Sequence, residues 1–307
     1  MQRRSALGLL MSAPMACVQA NNGALPAVSA GRIERLASFG SKHVEARHVD
    51  VWLPPGYDGR RPHAVLYAHD GQMLFDPADT WNRRAWRLDR ALAPLLARGA
   101  LPDLIVVGVW NHAPLRHAEY FPQAALAHLQ PDGLCERFLR EALKGRPLGD
   151  AYLAFLVDEL KPAIDARFAT RPGREHTWVM GSSMGGLASL YALCRQPQVF
   201  SAAGCLSTHW IGTFERNTEI PSALLTWLRE RAPDPASVRL YVDRGTEGLD
   251  ALYDVALERA RDVLADRGYR APGLQAKVVA GTGHDEDAWG ARVADVVTFL
   301  AGSAGRG

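Results

Sequence analysis

A chain of 307 residues, 48% hydrophobic and 22% charged, is long and apolar enough to bury a sizeable core. Its formal net charge of +2 comes from scattered cations. That excludes the strong basic field of a protein whose main partner is nucleic acid or an anionic membrane, and leaves the substrate open.

Residues 1–20 differ from the rest. "MQRR" is a positive start, "SALGLLMSAPMACV" is uncharged and apolar, and "VQA" ends in a small residue before "NNGALP". This is the layout of a secretory signal peptide cleaved after Ala20, which predicts export to the periplasm or beyond; an unused signal would leave the chain cytoplasmic. The apolar stretch is too short for a permanent span, so no stable membrane anchor is expected. Arg3 and Arg4 also fit twin-arginine export. Cys17 lacks the upstream leucine of a lipid-attachment site.

Residues 31–303 read as one α/β domain. After a polar segment through Gly40, "HVDVWLPPGY" (48–57) alternates like a strand and stops at two prolines. "HAVLYAHDG" (63–71) and "LPDLIVVGVWN" (101–111) are nearly continuous apolar runs, as in strands buried on both faces. Between them, "NRRAWRLDRALAPLLARG" has helical spacing and ends in glycine. Residues 121–149 break the alternation as a proline-containing excursion, a candidate lid, with one short amphipathic piece, "GLCERFLREAL". Further strands are predicted at 176–181, 202–207, 238–245 and 276–281, with helices over 187–194, 251–267 and 288–301. Alternation over this length predicts a mostly parallel sheet with helices on both faces. Cys135, Cys194 and Cys205, the cysteines left after signal cleavage, are odd in number and without metal-like spacing, so no structural metal is expected; Cys194 and Cys205 sit in apolar contexts that favour free, buried thiols over a bridge.

"TWVMGSSMGGLASLYAL" (177–193) runs a strand pattern into two serines and then a helix pattern. A nucleophile elbow needs small residues two before and two after its serine, because the turn is too sharp for side chains there. Only Ser183, between Gly181 and Gly185, meets this; Ser182 would have Met180 and Met184 at the crowded positions. The motif alone is weak, and its strand–turn–helix context carries the weight. A nucleophilic serine then needs an acid and a histidine later in the chain, in that order. His284, in "GTGHDEDAW", follows a predicted strand, whereas His209 follows the strand ending at Ser207 and reads as pocket-lining or packing. The loop "LYVDRGTEGLD" offers Asp243, Glu247 and Asp250; Asp243 reads as fixing the turn, and Glu247 and Asp250 can each reach a histidine. The oxyanion hole requires two backbone donors: Met184 after the nucleophile, and Gln72 in "HDGQMLFD", with Asp70 and Gly71 shaping its turn. Trp110, Trp210 and Trp289 follow strand ends or the histidine loop, as candidates for an aromatic pocket wall.

Together, "LYAHDGQMLFD", "VGVWNHAPLRHAEYFP", "GSSMGGLASLYAL", "VDRGTEGLD" and "GTGHDEDAW" resemble the "putative esterase" branch of the α/β-hydrolases, from about His48 to Leu300. That branch holds enterochelin-type esterases, feruloyl and acetyl xylan esterases, S-formylglutathione hydrolases and mycolyltransferases. The resemblance implies an α/β-hydrolase fold and a serine esterase for small-molecule esters, without a cofactor. It implies Ser183 as nucleophile, His284 as base, and the amides of Gln72 and Met184 as oxyanion hole. The loop form "GT-x-x-LD" of close relatives matches Gly245, Thr246, Leu249 and Asp250, which favours Asp250 over Glu247. A further match covers Asn111, Arg116, Glu119, Tyr120 and Pro122; Arg116 could contact substrate or pair with Glu119. The same triad would serve an acyltransferase, and a catalytically silent binding domain is the rival from another class. The oligomeric state and both halves of the ester stay open.

Overall fold

The computed structural model describes residues 24–131 and 133–302. The expected signal peptide, with Cys17 and the cleavage point after Ala20, lies outside the described residues. Strands β1 (Arg32–Phe39), β2 (Arg47–Leu53), β3 (Ala64–His69), β4 (Leu104–Val109), β5 (Thr177–Ser182), β6 (Ala202–Leu206), β7 (Arg239–Gly245) and β8 (Leu274–Val279) form one sheet. Its order is β1-β2-β4-β3-β5-β6-β7-β8. Strand β2 is antiparallel to both its neighbours, and β4 to β8 with β3 among them are parallel. This is the mostly parallel α/β-hydrolase sheet.

Every residue of β3, β4, β5 and β6 is buried, which is why these strands read as continuous apolar runs. Strand β1 is absent from the sequence reading. It is an edge strand, and Arg32, Glu34 and Arg35 keep its pattern polar; charge on an edge also discourages pairing with another chain.

The helices are α1 (Leu88–Ala97), α2 (Arg116–Tyr120), α3 (Gly133–Arg137), α4 (Gly149–Ala154), α5 (Lys161–Arg167), α6 (Met184–Arg195), α7 (Glu219–Arg231), α8 (Asp254–Asp266), α9 (Glu286–Gly290) and α10 (Val293–Ala301). A wider π-turn, Phe155–Leu160, joins α4 to α5. Helix α7 has a weak sequence signal because Pro221 interrupts its opening; proline is tolerated there since first-turn amides have no helical acceptor. Two apolar layers cover the sheet. Val51, Tyr67, Val107 and Val179 face the layer holding α6, α7 and α8. Trp52, Leu66, Trp178 and Met180 face α1 and α10.

The 121–149 excursion packs into the first layer: Phe121 meets Phe138 edge-on at 4.9 Å, and Ala125, Leu143 and Leu148 are buried. A buried ion pair sits just before it. Arg47 of β2 donates to both carboxylate oxygens of Glu119 in α2, at 2.8 and 2.7 Å. Glu119 is therefore not the partner of Arg116. Among the described residues, no helix is long and apolar enough to cross a membrane. Cys135, Cys194 and Cys205 are buried, Cys194 and Cys205 as free thiols, and burial pushes the Cys194 thiol up to about 12.

The strand order supplies the site. From β3 the chain steps to β4 on one side and then returns to β5 on the other, so the carboxyl ends of β3 and β5 flank a topological switch point. Crevices at such points are where open α/β sheets bind ligands.

Candidate active site

Strand β5 ends at Ser182, and Ser183 turns the chain into α6 with φ 57° and ψ −122°. A non-glycine residue in this region is strained, and such strain persists only where the surroundings over-determine it. Of the two serines, only Ser183 has it. A Cβ on Gly181 would lie 2.7 Å from the Gly185 backbone, so the turn closes only with glycine there. Ser183 N–H donates to the Leu206 carbonyl at 2.9 Å, and its own carbonyl accepts from His209 N–H at 3.2 Å. The elbow is thus pinned to the end of β6 and to the loop that follows it.

His284 stands two residues before α9, whose N-cap Asp285 accepts from Ala288 N–H at 3.0 Å. The 82–87 loop clamps this turn. Asn82 donates to Glu286 at 2.7 Å, Arg84 pairs with Asp285 at 2.7 Å, and Arg87 with Asp287 at 2.5 Å. The imidazole ring meets Trp289 edge-on at 5.0 Å and Tyr253 at 5.8 Å.

His284 Nδ1 lies 2.5 Å from Asp250 Oδ1. The other oxygen of Asp250 accepts from Ser207 Oγ at 2.6 Å and Gly245 N–H at 2.5 Å. Burial alone would raise the Asp250 carboxyl; the bond and charge of His284, with Ser207 and Gly245, hold it below the ordinary range. An ionised carboxylate only accepts, so Nδ1 carries the hydrogen and Nε2 presents its lone pair. Glu247 is exposed and Asp250 fully buried. Asp243 accepts from Ser207 N–H, Tyr241 Oη and Arg292 Nε at 2.7, 2.8 and 2.6 Å. It braces the end of β7.

Ser207 was not singled out by sequence. It is fully buried, with φ 40°, and its Oγ also accepts from Trp289 Nε1 at 2.9 Å and Arg292 Nη2 at 3.1 Å. Its one sequence signal is position, at the carboxyl end of the strand beside the elbow. Tyr253 is the second such residue, bonded to His209 Nδ1 at 2.5 Å and packed against the His284 ring.

Met184 opens α6 and Gln72 lies in the 3₁₀ turn Gly71–Met73, so each N–H belongs to a first turn that offers no helical acceptor. The two turns touch: a Cβ on Gly185 would lie 3.2 Å from His69 Cβ and 3.4 Å from Asp70 Oδ2. Among the described residues, the Ser183 hydroxyl makes no hydrogen bond to His284. Ligand-free serine sites commonly tighten this contact only with substrate bound.

The remaining expected residues fall in different places. Arg116 pairs with Asp70 through Nε and Nη2, both at 2.7 Å. Trp110 is half-buried and donates to Asp50 at 2.8 Å. Trp210 is in the core, 1% exposed, and presents no face to a ligand. Trp289 is buried under His284, where its N–H is spent on Ser207. His209 is buried beneath Phe214 and His117, with ring centroids at 5.8 and 6.2 Å. Burial, with His284, His117 and Arg116 nearby, drives its basicity well down, and burial beside Arg116 lowers His117 to about 4. Both imidazoles are neutral at ordinary pH.

A cleft of about 740 Å³ opens beside them, lined by Pro114, His117, Phe138, Arg137, Lys144 and Phe214, from segments following β4 and β6. A larger depression, about 1050 Å³, lies at the amino ends of β7 and β8, at the opposite edge from the switch point. No cluster of three or more His, Cys, Asp or Glu among the described residues is arranged to hold a metal.

Residues 41–300 match the family described as "Putative esterase". The chain is 23% identical over 205 residues to the uncharacterized protein YbbA of Bacillus subtilis, covering 66% of this chain and 68% of that one. It is 27% identical over 274 residues to an endo-1,4-beta-xylanase/feruloyl esterase of Xylanibacter ruminicola, covering 85% of this chain but 30% of that relative's length. Among solved structures, a ferulic acid esterase from Anaeromyces mucronatus matches at TM-score 0.61 and 19% identity, covering 94% of this chain and 96% of that one. The enterobactin esterase from Shigella flexneri matches at TM-score 0.62 and 17% identity, over 90% of this chain and 60% of that one. At these identities the likeness speaks to the fold.

Proposed function

We propose, from the premise that the chain belongs to the "Putative esterase" family and is a serine carboxylic-ester hydrolase, that Ser183 carries the acyl group, His284 moves the proton and Asp250 holds the imidazole. The observation that carries this reading is the run from a strained serine elbow to a histidine whose Nδ1 is fixed by a buried carboxylate. Ser183 Oγ attacks the ester carbon as its proton passes to His284 Nε2. The carbonyl oxygen takes the negative charge and is met by the amides of Met184 and Gln72, a water-poor setting where such donors are worth most. The tetrahedral species collapses, the C–O bond breaks, and the departing alcohol takes the proton from His284. Water then repeats the sequence on the acyl-enzyme, releasing the acid and restoring Ser183.

The cleft beside His117 takes the larger organic part of the ester. Phe214 is 71% exposed on its wall and packs on His209, whose backbone N–H bonds the Ser183 carbonyl, and an exposed aromatic there supports an aryl or bulky apolar group. The ferulic acid esterases that share the fold, one of them solved with ferulic acid, support testing aryl esters first. Against a methyl-ester series of acetate, butyrate and aryl acids, Phe214→Ala is expected to raise KM about tenfold for the aryl esters, the worth of one stacked ring, and to leave acetate within about twofold. Equal effects on acetate and aryl esters would place the organic group elsewhere.

A further inference from the structure

The geometry points to Arg116 as the positioning residue of the oxyanion hole: it acts through Asp70 to hold the Gln72 amide against the nucleophile elbow. The inference rests on the serine-esterase reading above and concerns how one of its two donors is kept in place.

The turn that carries Gln72 is closed by Met73 N–H donating to the Asp70 carbonyl at 2.8 Å, but its first residue has no local side-chain anchor. Asp70 sits in the left-handed region, with φ 57° and ψ 48°, and its side chain makes no capping bond to the 3₁₀ turn that follows. Aspartate tolerates this region chiefly when its side chain bonds locally; here that bond is missing and the carboxylate is held from outside the turn. Arg116 supplies two of the outside contacts, gripping both oxygens of Asp70 at 2.7 Å with Nε and Nη2. Asn111 supplies a third, donating Nδ2 to Asp70 Oδ1 at 2.6 Å, while its own N–H donates to Gln72 Oε1 at 3.2 Å. Tyr120 Oη accepts from Asp70 N–H at 3.3 Å. Asn111, Arg116 and Tyr120 all lie between β4 and the end of α2, so one segment holds the donor turn at both its side chain and its backbone.

The turn is also held from below. A Cβ on Gly71 would lie 2.5 Å from the Gly108 backbone, so the chain presses directly onto β4. On its other side the Asp70 carboxylate faces Gly185, two residues past Ser183. A fork between a guanidinium and a carboxylate fixes direction as well as distance, which an ammonium cannot do. Burial would raise the Asp70 carboxyl; Arg116 and Asn111 keep it low, so the fork stays charged. With its Nε–Nη2 edge spent on Asp70, Arg116 cannot offer that edge to an anionic substrate.

The test is hydrolysis of para-nitrophenyl acetate, a small neutral ester, by the full chain and its Arg116→Ala, Arg116→Lys and Asp70→Asn variants, each with a thermal melting midpoint. For Arg116→Ala the expected result is a fall in kcat of about 100-fold, the worth of one oxyanion donor, with KM within about threefold. Added guanidinium at millimolar concentration restores part of that kcat, and Arg116→Lys and Asp70→Asn fall between. A raised KM at unchanged kcat would overturn the inference and make Arg116 a substrate contact. A fall in kcat that follows the melting midpoint and ignores guanidinium would overturn it as mere folding. If Arg116→Ala does not fold, Arg116→Lys decides, and full activity there overturns the inference. A wild type inactive on every ester would overturn the esterase reading and this inference with it; an active wild type with unchanged variants overturns the inference alone.

Discussion

Ser183→Ala is expected to lower kcat toward para-nitrophenyl acetate on the order of 10⁵-fold or more, because without Oγ there is no acyl-enzyme, only amides that polarise a carbonyl for water. The fold should hardly notice. The Ser183 hydroxyl makes no hydrogen bond among the described residues, and alanine faces the same positive φ as serine, so the melting midpoint should move by no more than about a degree or two. Ser182→Ala is the control. Ser182 ends β5 with ordinary strand geometry, paired in register with Leu206, and its loss should leave kcat within about threefold. The opposite pattern, with Ser182 essential and Ser183 dispensable, would mean that the elbow is framed on the wrong serine.

Asp250→Asn is expected to cost on the order of 10⁴-fold in kcat with KM little changed, the scale known for the triad aspartate of serine proteases. The reason lies in the donors around it. Asp250 accepts from His284 Nδ1, Ser207 Oγ and Gly245 N–H, and an amide nitrogen cannot accept from any of them. If the amide turns its NH₂ toward His284, the ring must move its hydrogen to Nε2, the atom that should receive the serine proton. If it turns the other way, two buried donors face it. Stability should fall too, with a defined pH dependence. The Asp250 carboxyl is held below its ordinary value in the folded chain, so its contribution is present above the unfolded-state pKa and fades as pH falls through the folded one. The destabilisation of Asp250→Asn relative to wild type should therefore be largest at neutral pH and shrink on acidification. Thermal melts of both proteins across the carboxylate range measure this, and a gap that grows toward low pH would contradict it.

How much of this was legible in the sequence depends on the range of the interaction. The elbow was legible because its constraint is local: Gly181 and Gly185 flank Ser183 by two residues, and the hypothetical Cβ contacts give the reason. His284 was legible from chain order and its place after a strand. Asp250 needed the family pattern, since Glu247 is as near in the chain and only burial separates them. What sequence could not supply were pairings across the fold. Arg116 finds Asp70, 46 residues away, rather than Glu119 three residues on, because Glu119 is claimed by Arg47 from β2. Ser207 reaches Asp250 from 43 residues away, and Arg292 reaches the neighbouring Asp243 from 49, with no local pattern to announce either. The tryptophans mislead for a related reason: a large ring after a strand end fills a core as readily as it lines a pocket, and Trp210 does the former. Strand β1 escaped because an edge strand is selected for charge rather than for an apolar run.

The most direct test of the central claim is labelling by a fluorophosphonate probe, with the modified residue located by peptide mass spectrometry in wild type and in His284→Ala. The account predicts one labelled residue, Ser183, in the wild type, and loss of that label when His284 is removed. Label on Ser182 or on any other serine, or a folded wild type that takes no label, would contradict it.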